Sequence, residues 1–148
     1  KYPNTDFFIV GLDKKGILKK ILKKNTKIRN VRYIGFSYNS FFWLKHCDLL
    51  LSPGIDEALA RNIVEGMLSK IPVIAVNSGG NSEIIKDNYN GWLFEKDNYK
   101  ELAEKTIYVL GLKKIKLSLI VVNAYNYVSK KYSLKKHIQE INKIYFRI

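Results

Sequence analysis

Short, continuous apolar runs alternate along this chain with longer stretches whose apolar residues recur at helical spacing. Apolar runs without polar interruption are typical of strands buried on both faces, as in a parallel sheet. These runs cover residues 7–10, 31–34, 48–52, 72–76 and 92–94. The helical stretches cover residues 14–24, 61–69, 99–110, 115–128 and 134–145. Because strands alternate with helices, we expect an α/β fold: a Rossmann-like open parallel sheet with helices on both faces.

The length of the chain suits a single domain. Its 148 residues are enough to bury a sizeable core. No linker, internal repeat or low-complexity segment divides them, so we expect one domain over residues 1–148. No stretch reaches the ~20 apolar residues that span a bilayer. Residues 1–6 also lack the apolar segment of a signal peptide.

Cysteine and histidine usage bears on compartment and on metal binding. With Cys47 as its one cysteine the chain forms no internal disulfide, which favours a reducing cytoplasm. His46 and His137 lie far apart in the sequence, without a second cysteine or histidine nearby. This spacing does not match a metal site, so we expect no bound metal.

Positive charge is unevenly distributed along the chain. There are 26 lysine and arginine residues against 13 aspartate and glutamate residues, a net charge of +13. Residues 48–104 contain ten acids and five bases, whereas the remainder contains three acids and twenty-one bases. This basic remainder, residues 1–47 and 105–148, is called the basic rim. A basic rim suggests an anionic partner, either a membrane leaflet or a nucleic acid. Lysines in this number also form an ordinary solvated face. No recognised nucleic-acid module is present, which disfavours nucleic acid.

Residues 50–83 contain the pattern that suggests chemistry. An apolar run is followed by a tight turn, then by Glu57 and by a helical stretch that begins near Arg61 and contains Glu65. The first N–H groups of a helix lack intrahelical acceptors, so the backbone at Arg61 and Asn62 predicts an anion site. A diphosphate fits there, with the two carboxylates accepting hydrogen bonds from sugar hydroxyls. The Arg61 side chain either adds a cation or is an ordinary surface charge; its N–H is the better candidate.

This segment resembles the E-x7-E region of retaining, metal-independent glycosyltransferases of the GT-B fold, in the large group-1 (family 4) type. Two glutamates eight residues apart are common, but Glu57 and Glu65 belong to an ordered series of matches with the expected spacing. The other matching segments are residues 2–11, 31–35, 47–53, 65–74, 78–80, 83–85, 90–94 and 102–103. The resemblance implies the carboxyl-terminal, nucleotide-sugar-binding half of a GT-B fold.

The resemblance also implies roles for single residues. Glu57 would be the catalytic residue that contacts donor-sugar hydroxyls beside the reacting carbon, and Glu65 would bind the ribose hydroxyls of the nucleotide. The backbone of Leu59, Ala60, Arg61 and Asn62 would hold the sugar and the diphosphate, and Gly35 and Phe36 would border the base. Such enzymes use no metal or other cofactor, because donors on the protein stabilise the departing diphosphate.

Two departures from the family pattern change what we expect. Family members commonly have glycine where this chain has Ala58 and Ala60, and the Ala60 methyl group would tighten the sugar pocket. The family's phosphate-binding arginine and lysine lie on the first strand–helix unit of this domain, and the sequence starts after that unit. By the same resemblance, we expect the amino-terminal acceptor domain to be absent from these residues as well. We therefore expect residues 1–148 to be a fragment that is inactive by itself.

The leading hypothesis is hexosyl transfer from a nucleotide diphosphate sugar to a cell-envelope glycan or lipid-linked acceptor, as in polysaccharide biosynthesis. We expect a cytoplasmic enzyme, peripheral to the inner face of the cell membrane if the basic rim binds lipid. The alternatives are a nucleotide-sugar epimerase of the same fold and a basic module that binds membranes or nucleic acid. At single positions, Glu57 and Glu65 could be ordinary surface acids, and Gly79-Gly80 could be a tight turn or a ligand contact.

Overall fold

The computed structural model describes residues 4–25 and 29–146. Tyr2 and Pro3, which open the first family-like segment, lie outside the described residues. The chain divides into two compact units, Lys1–Ser40 (unit 1) and Phe41–Ile148 (unit 2). The sequence pattern shows no linker at the boundary between them.

Unit 1 consists of two parallel strands connected by a helix. Its elements are β1 (Phe7–Val10), α1 (Ile17–Lys24) and β2 (Val31–Gly35). The helix begins later than residue 14 because Gly16 adopts a φ of 64°, in the left-handed region. None of the described residues of unit 1 is buried. The prediction that the apolar runs would be buried on both faces is therefore wrong for β1 and β2.

Unit 2 contains a three-stranded parallel sheet. Its strands are β3 (Leu50–Ser52), β4 (Val73–Val76) and β5 (Trp92–Phe94), in the order β3-β4-β5. All four residues of the central strand β4 are buried. The expectation of a doubly buried strand is confirmed there. Hydrogen bonds divide the five strands between two parallel sheets rather than one, because an apolar run indicates a strand but not its neighbour.

Within the described residues, six helices follow β2 along the chain: α2 (Ser40–Lys45), α3 (Arg61–Leu68), α4 (Asn81–Ile84), α5 (Tyr99–Leu110), α6 (Lys114–Lys131) and α7 (Leu134–Tyr145). The sequence predicted α3, α5, α6 and α7 within a few residues, and missed the short helices α2 and α4. Local signals mark two of the starts, since Asn98 caps α5 and Ser133 caps α7 through their side chains. No helix among the described residues is both long and apolar enough to span a membrane.

The core of unit 2 consists of two clusters on opposite faces of the sheet. Val73 and Ala75 of β4 pack in one cluster with residues of α3 and α6, whereas Ile74 and Val76 pack in the other with residues of α5, α6 and β5. Successive residues of a strand point to opposite faces, so this division puts helices on both faces of the sheet. The predicted α/β, Rossmann-like class with parallel sheets flanked by helices is confirmed.

Candidate functional site

Glu57 lies in the β3–α3 loop (residues 53–60), which connects the carboxyl end of β3 to the start of α3. Ligands of open α/β sheets bind outside the carboxyl ends of the strands. The Glu57 side chain is exposed, and within the described residues its carboxylate makes no hydrogen bond or ion pair. The predicted order of strand, loop acid and helix is therefore confirmed, and this carboxylate is available to accept hydrogen bonds.

The start of α3 has no side-chain cap. Its N-cap residue is Ala60, and the first turn contains no acidic residue. The backbone N–H groups of Arg61 and Asn62 have no acceptor within the described part of the chain. The Asn62 side chain accepts the Ile63 N–H through its Oδ1 at 3.0 Å and donates through its amide to Ser52 Oγ at 2.8 Å, so it leaves the N–H groups of Arg61 and Asn62 open. The positive end of α3 is thus open to an anion.

Glu65 lies one turn into α3 and forms an ion pair with Arg61. Arg61 Nη2 is 3.5 Å from Glu65 Oε1, and the two side chains are 84% and 22% exposed. Because the Arg61 side chain is largely exposed, the pair contributes no more than about 1 kcal/mol, so a ligand can displace it. The structure brings these two predicted residues together, which their spacing of four residues could have indicated.

Leu59 and Ala60 differ in what they can present to a ligand. Leu59 is 49% exposed at the surface of the loop. Ala60 is 0% exposed and packs with Ile63 and Met67 in the core. The Ala60 methyl group therefore packs in the core instead of narrowing an open sugar pocket, and only the backbone of Ala60 remains as a candidate contact.

Gly79 and Gly80, in the β4–α4 turn (residues 77–80), lie directly against the β3–α3 loop. Gly79 adopts a φ of 54°, and a Cβ atom there would lie 2.7 Å from the Glu57 carbonyl oxygen. A Cβ atom on Gly80 would overlap the Ala58 carbonyl oxygen. The Gly80 N–H donates to the Glu57 carbonyl at 2.9 Å. These glycines thus form a tight turn whose lack of side chains lets it support the loop.

Sequence reasoning missed three polar residues that hold the β3–α3 loop. Asp56 bonds to Ser78, and the buried Asn81 donates to the Val76 carbonyl at 3.0 Å and to the Gly54 carbonyl at 3.4 Å. Their residue types could have indicated this role, because Asp, Ser and Asn side chains commonly bond to backbone in turns. Residue type does not predict which turn provides the bonding partner.

Gly35 and Phe36, the predicted neighbours of the base, belong to unit 1. Gly35 ends β2 with a φ of 86°, which favours glycine. Phe36 is 55% exposed and packs edge to face against Tyr38, with ring centroids 4.7 Å apart. Both residues thus lie where β2 ends, and the Phe36 ring is accessible.

In the described part of the chain, the cysteine and histidine side chains do not form a second site. Within residues 4–25 and 29–146, no group of three or more His, Cys, Asp and Glu side chains could hold a metal ion. Burial raises the pKa of the Cys47 thiol, and the neighbouring Asp48 raises it further, so this thiol stays protonated at neutral pH. Two surface hollows lie along α7, lined by residues such as Asn142 and His137, away from the β3–α3 loop.

Comparison with known proteins agrees with the fold. Among curated relatives, the uncharacterized glycosyltransferase MJ1178 of Methanocaldococcus jannaschii is 35% identical over 103 residues, which are 70% of this chain and 29% of that protein. The structure of Anabaena HepE in complex with UDP-glucose superposes with a TM-score of 0.88 over 99% of this chain and 42% of that one; at 24% identity this likeness concerns the fold.

A third similar protein is Staphylococcus aureus TarM, of which a single-residue mutant was solved in complex with fondaparinux, α-GlcNAc-glycerol and UDP. It is 26% identical, with a TM-score of 0.82 over 95% of this chain and 29% of that one. The chain therefore spans less than half the length of each of these three proteins.

The family profile decides between the alternatives. The profile of glycosyl transferases group 1 matches residues 1–127, which include β1 to β5, the β3–α3 loop and α3. This match favours neither an epimerase nor a basic membrane or nucleic-acid module. The structural neighbours of the chain are GT-B glycosyltransferases, in agreement with the parallel sheets and flanking helices of its fold. The chain belongs to the glycosyl transferases group 1 and has the α/β architecture of the GT-B fold.

Proposed function

We propose that this chain is the donor-binding domain of a retaining, metal-independent glycosyltransferase of the family 4 type. Its donor is a nucleotide diphosphate sugar, from which it transfers a hexosyl group. The observation that carries the proposal is the uncapped start of α3 between Glu57 and Glu65, in a chain that belongs to the glycosyl transferases group 1. An open helix N-terminus binds an anion, and carboxylates on both sides bind hydroxyls.

Each predicted residue takes one role in this proposal. The diphosphate binds the N–H groups of Arg61 and Asn62, and Leu59 and Ala60 contribute backbone along the sugar. Glu65 accepts hydrogen bonds from the ribose hydroxyls. For Gly35 and Phe36 in unit 1, contact with the base stays a prediction from the family resemblance. Because the Arg61 guanidinium now pairs with Glu65 and is largely exposed, it can rotate toward a phosphate when the ribose takes its place.

The chemical role belongs to Glu57. As the bond between the anomeric carbon and the diphosphate breaks, positive charge develops on the sugar and negative charge on the leaving group. A carboxylate that accepts hydrogen bonds from sugar hydroxyls holds the ring and stabilises the positive charge, whereas the α3 N-terminus stabilises the leaving group. These fixed dipoles take the place of a metal ion in the proposal.

UDP is the first donor nucleotide to test. TarM, at 26% identity, was solved with UDP and α-GlcNAc-glycerol. An α-linked sugar nucleotide that yields an α-linked product reacts with retention, which fits the proposed mechanism. For the acceptor we propose a cell-envelope glycan or lipid-linked saccharide, because the basic residues outside the acidic middle favour an anionic surface nearby.

We also propose that residues 1–148 act together with an amino-terminal acceptor-binding domain and a first strand–helix unit carrying phosphate-binding cations. The support is the length of similar proteins, of which this chain spans 29% in MJ1178 and 29% in TarM. The proposed location is the cytoplasm, at the inner face of the cell membrane.

The test is donor turnover by the natural full-length protein with a panel of UDP-, GDP-, ADP- and dTDP-sugars, read by mass spectrometry. Glu57→Gln should lower kcat/KM about 100- to 1000-fold, the cost of losing one fixed transition-state contact. Glu65→Gln should act mainly on the Kd for UDP. Glu104→Gln is the matched control, because Glu104 is an exposed carboxylate on α5.

The outcomes separate the parts of the proposal. Unchanged kcat/KM in Glu57→Gln removes the role of Glu57, and a pure kcat defect in Glu65→Gln removes the ribose assignment. Chelators should leave turnover intact if no metal takes part. Inversion at the anomeric carbon of the product would contradict the retaining mechanism.

A further inference from the structure

The residue before Glu57 is bonded twice to a single hydroxyl group. The Asp56 N–H donates to Ser78 Oγ at 3.2 Å, and the Ser78 hydroxyl donates to Asp56 Oδ1 at 2.7 Å. Lys96, two residues after β5, lies with its Nζ 3.8 Å from Asp56 Oδ2. The segments that follow β3, β4 and β5 therefore meet at Asp56.

The backbone of Asp56 needs this support. Its φ of 57° lies in the left-handed region, which residues other than glycine, asparagine and aspartate rarely adopt. The paired bonds to Ser78 hold both the main chain and the side chain of Asp56 in that conformation. Because Glu57 follows directly, the direction in which its side chain leaves the loop depends on Asp56.

Glu57 is hydrogen-bonded through its backbone alone. Its carbonyl accepts the Gly80 N–H at 2.9 Å, and its carboxylate makes no hydrogen bond or ion pair in the part of the chain that the structure describes. The side chain lies against Gly54, where a Cβ atom would overlap the Glu57 carboxylate. The position of this carboxylate thus depends on Asp56 and Gly54 in its own loop and on the β4–α4 turn.

We propose that Asp56 and Ser78 are positioning residues that hold the Glu57 carboxylate at the donor sugar. This inference rests on the proposed function, in which Glu57 contacts that sugar. A misplacement of 1 Å can lower a rate by about 100-fold, so the pair acts on kcat. Among the described residues its bonds do not involve Arg61 or Asn62, which bind the diphosphate in that proposal, so we expect the affinity for the nucleotide not to depend on it.

The first test replaces the hydroxyl in the natural full-length protein. Ser78→Ala should lower kcat about 10- to 100-fold with the donor that the nucleotide-sugar panel identifies, and leave the Kd for UDP within about twofold. The matched control is Ser82→Ala, since among the described residues the Ser82 hydroxyl donates to the Gly79 carbonyl, at 3.3 Å, and not to Asp56. That variant should keep both values. A parallel loss of kcat and UDP affinity in Ser78→Ala contradicts the proposal, because it indicates a general collapse of the site.

Two variants of Asp56 separate the side chain from the backbone. Asp56→Asn keeps an acceptor for Ser78 and tolerates the left-handed conformation, so it should keep kcat within about threefold. Asp56→Gly adopts that conformation easily and remains folded, but it loses the acceptor and should behave like Ser78→Ala. Full kcat in Asp56→Gly would overturn the proposal.

A double-mutant cycle tests whether the pair acts through Glu57. If it does, Ser78→Ala added to Glu57→Gln should cause no further loss of turnover, measured with radiolabelled donor. Additive losses contradict a positioning role. If Glu57→Gln alone keeps full turnover, the proposed function of Glu57 fails; if Glu57→Gln is inactive and Ser78→Ala is fully active, the positioning proposal alone fails.

Discussion

Unit 1 and unit 2 use the same kind of strand–helix pattern, yet they differ in what their strands bury. In unit 2, β4 is buried on both faces, between the side chains of α3, α5 and α6. In unit 1, β1 exposes Phe8 and β2 exposes Ile34. An apolar run therefore predicts a strand, whereas burial depends on helices on both sides of it.

The two units also differ in charge. Residues 1–40 contain ten bases and two acids, whereas residues 41–148 contain sixteen bases and eleven acids. All the acidic residues of the candidate site lie in unit 2, and six lysines crowd the neighbourhood of α1 in unit 1. The buried core and the carboxylates of the candidate site thus belong to unit 2, whereas the highest density of positive charge belongs to unit 1.

The largest expected effect tests the difference in burial. Phe94 is 3% exposed in unit 2, whereas Phe8 is 40% exposed in unit 1. Phe94→Ala should lower the free energy of unfolding by about 3–5 kcal/mol, the usual cost of emptying a buried aromatic site. The same change at Phe8 should cost about 1 kcal/mol or less. Urea denaturation followed by circular dichroism measures both, and equal losses would show that unit 1 buries Phe8.

A smaller effect concerns the charge of unit 1. If α1 docks on anionic lipid, replacing Lys20 and Lys24 with Gln should weaken binding to phosphatidylserine vesicles by about 2 kcal/mol, or roughly 30-fold. Replacing Lys113 and Lys114 of unit 2 is the control and should change little. Co-sedimentation at low and high salt measures this, since screening should abolish binding. Equal binding to neutral vesicles would leave the lysines as a solvated face.

The smallest expected effect lies at the start of α5 in unit 2. The Glu95 N–H donates to the Glu101 carboxylate and holds its pKa below the ordinary value; Lys105 and Asn98 lower that pKa further. A lowered folded pKa contributes stability above the ordinary carboxyl value of about 4.3, and this contribution is lost as the pH falls through the folded pKa. Melting temperatures between pH 7 and pH 3 should therefore depend less on pH in Glu101→Gln than in Glu104→Gln.

Much of the fold could be predicted because its signals are local. Continuous apolar runs located all five strands, and helical spacing located α3, α5, α6 and α7. The short helices α2 and α4 were missed, because four to six residues show less than two turns of periodicity. The separation into two sheets could not be predicted, since strand pairing is not encoded in the period of a single run.

The candidate site likewise has features that the local sequence predicts and features that depend on contacts between distant residues. The placement of Glu57 in a loop and of Glu65 on a helix followed from the order of elements and from the spacing of the E-x7-E pattern. The bond between Asp56 and Ser78 spans 22 residues and depends on two turns meeting in space, so no local pattern indicates it. The burial of Ala60 likewise follows from packing on Ile63 and Met67.

The contact between the β3–α3 loop and the β4–α4 turn has a consequence for recombination. Gly79 and Gly80 leave no room for side chains against Glu57 and Ala58, and Gly80 donates to the Glu57 carbonyl. A chimera that exchanges residues 53–60 with those of a relative therefore inherits a loop shaped for another turn. Crossover points should lie before β3 and after α4, so that the β3–α3 loop and the β4–α4 turn are exchanged as one segment. The loop from the relative then keeps the turn that packs against it.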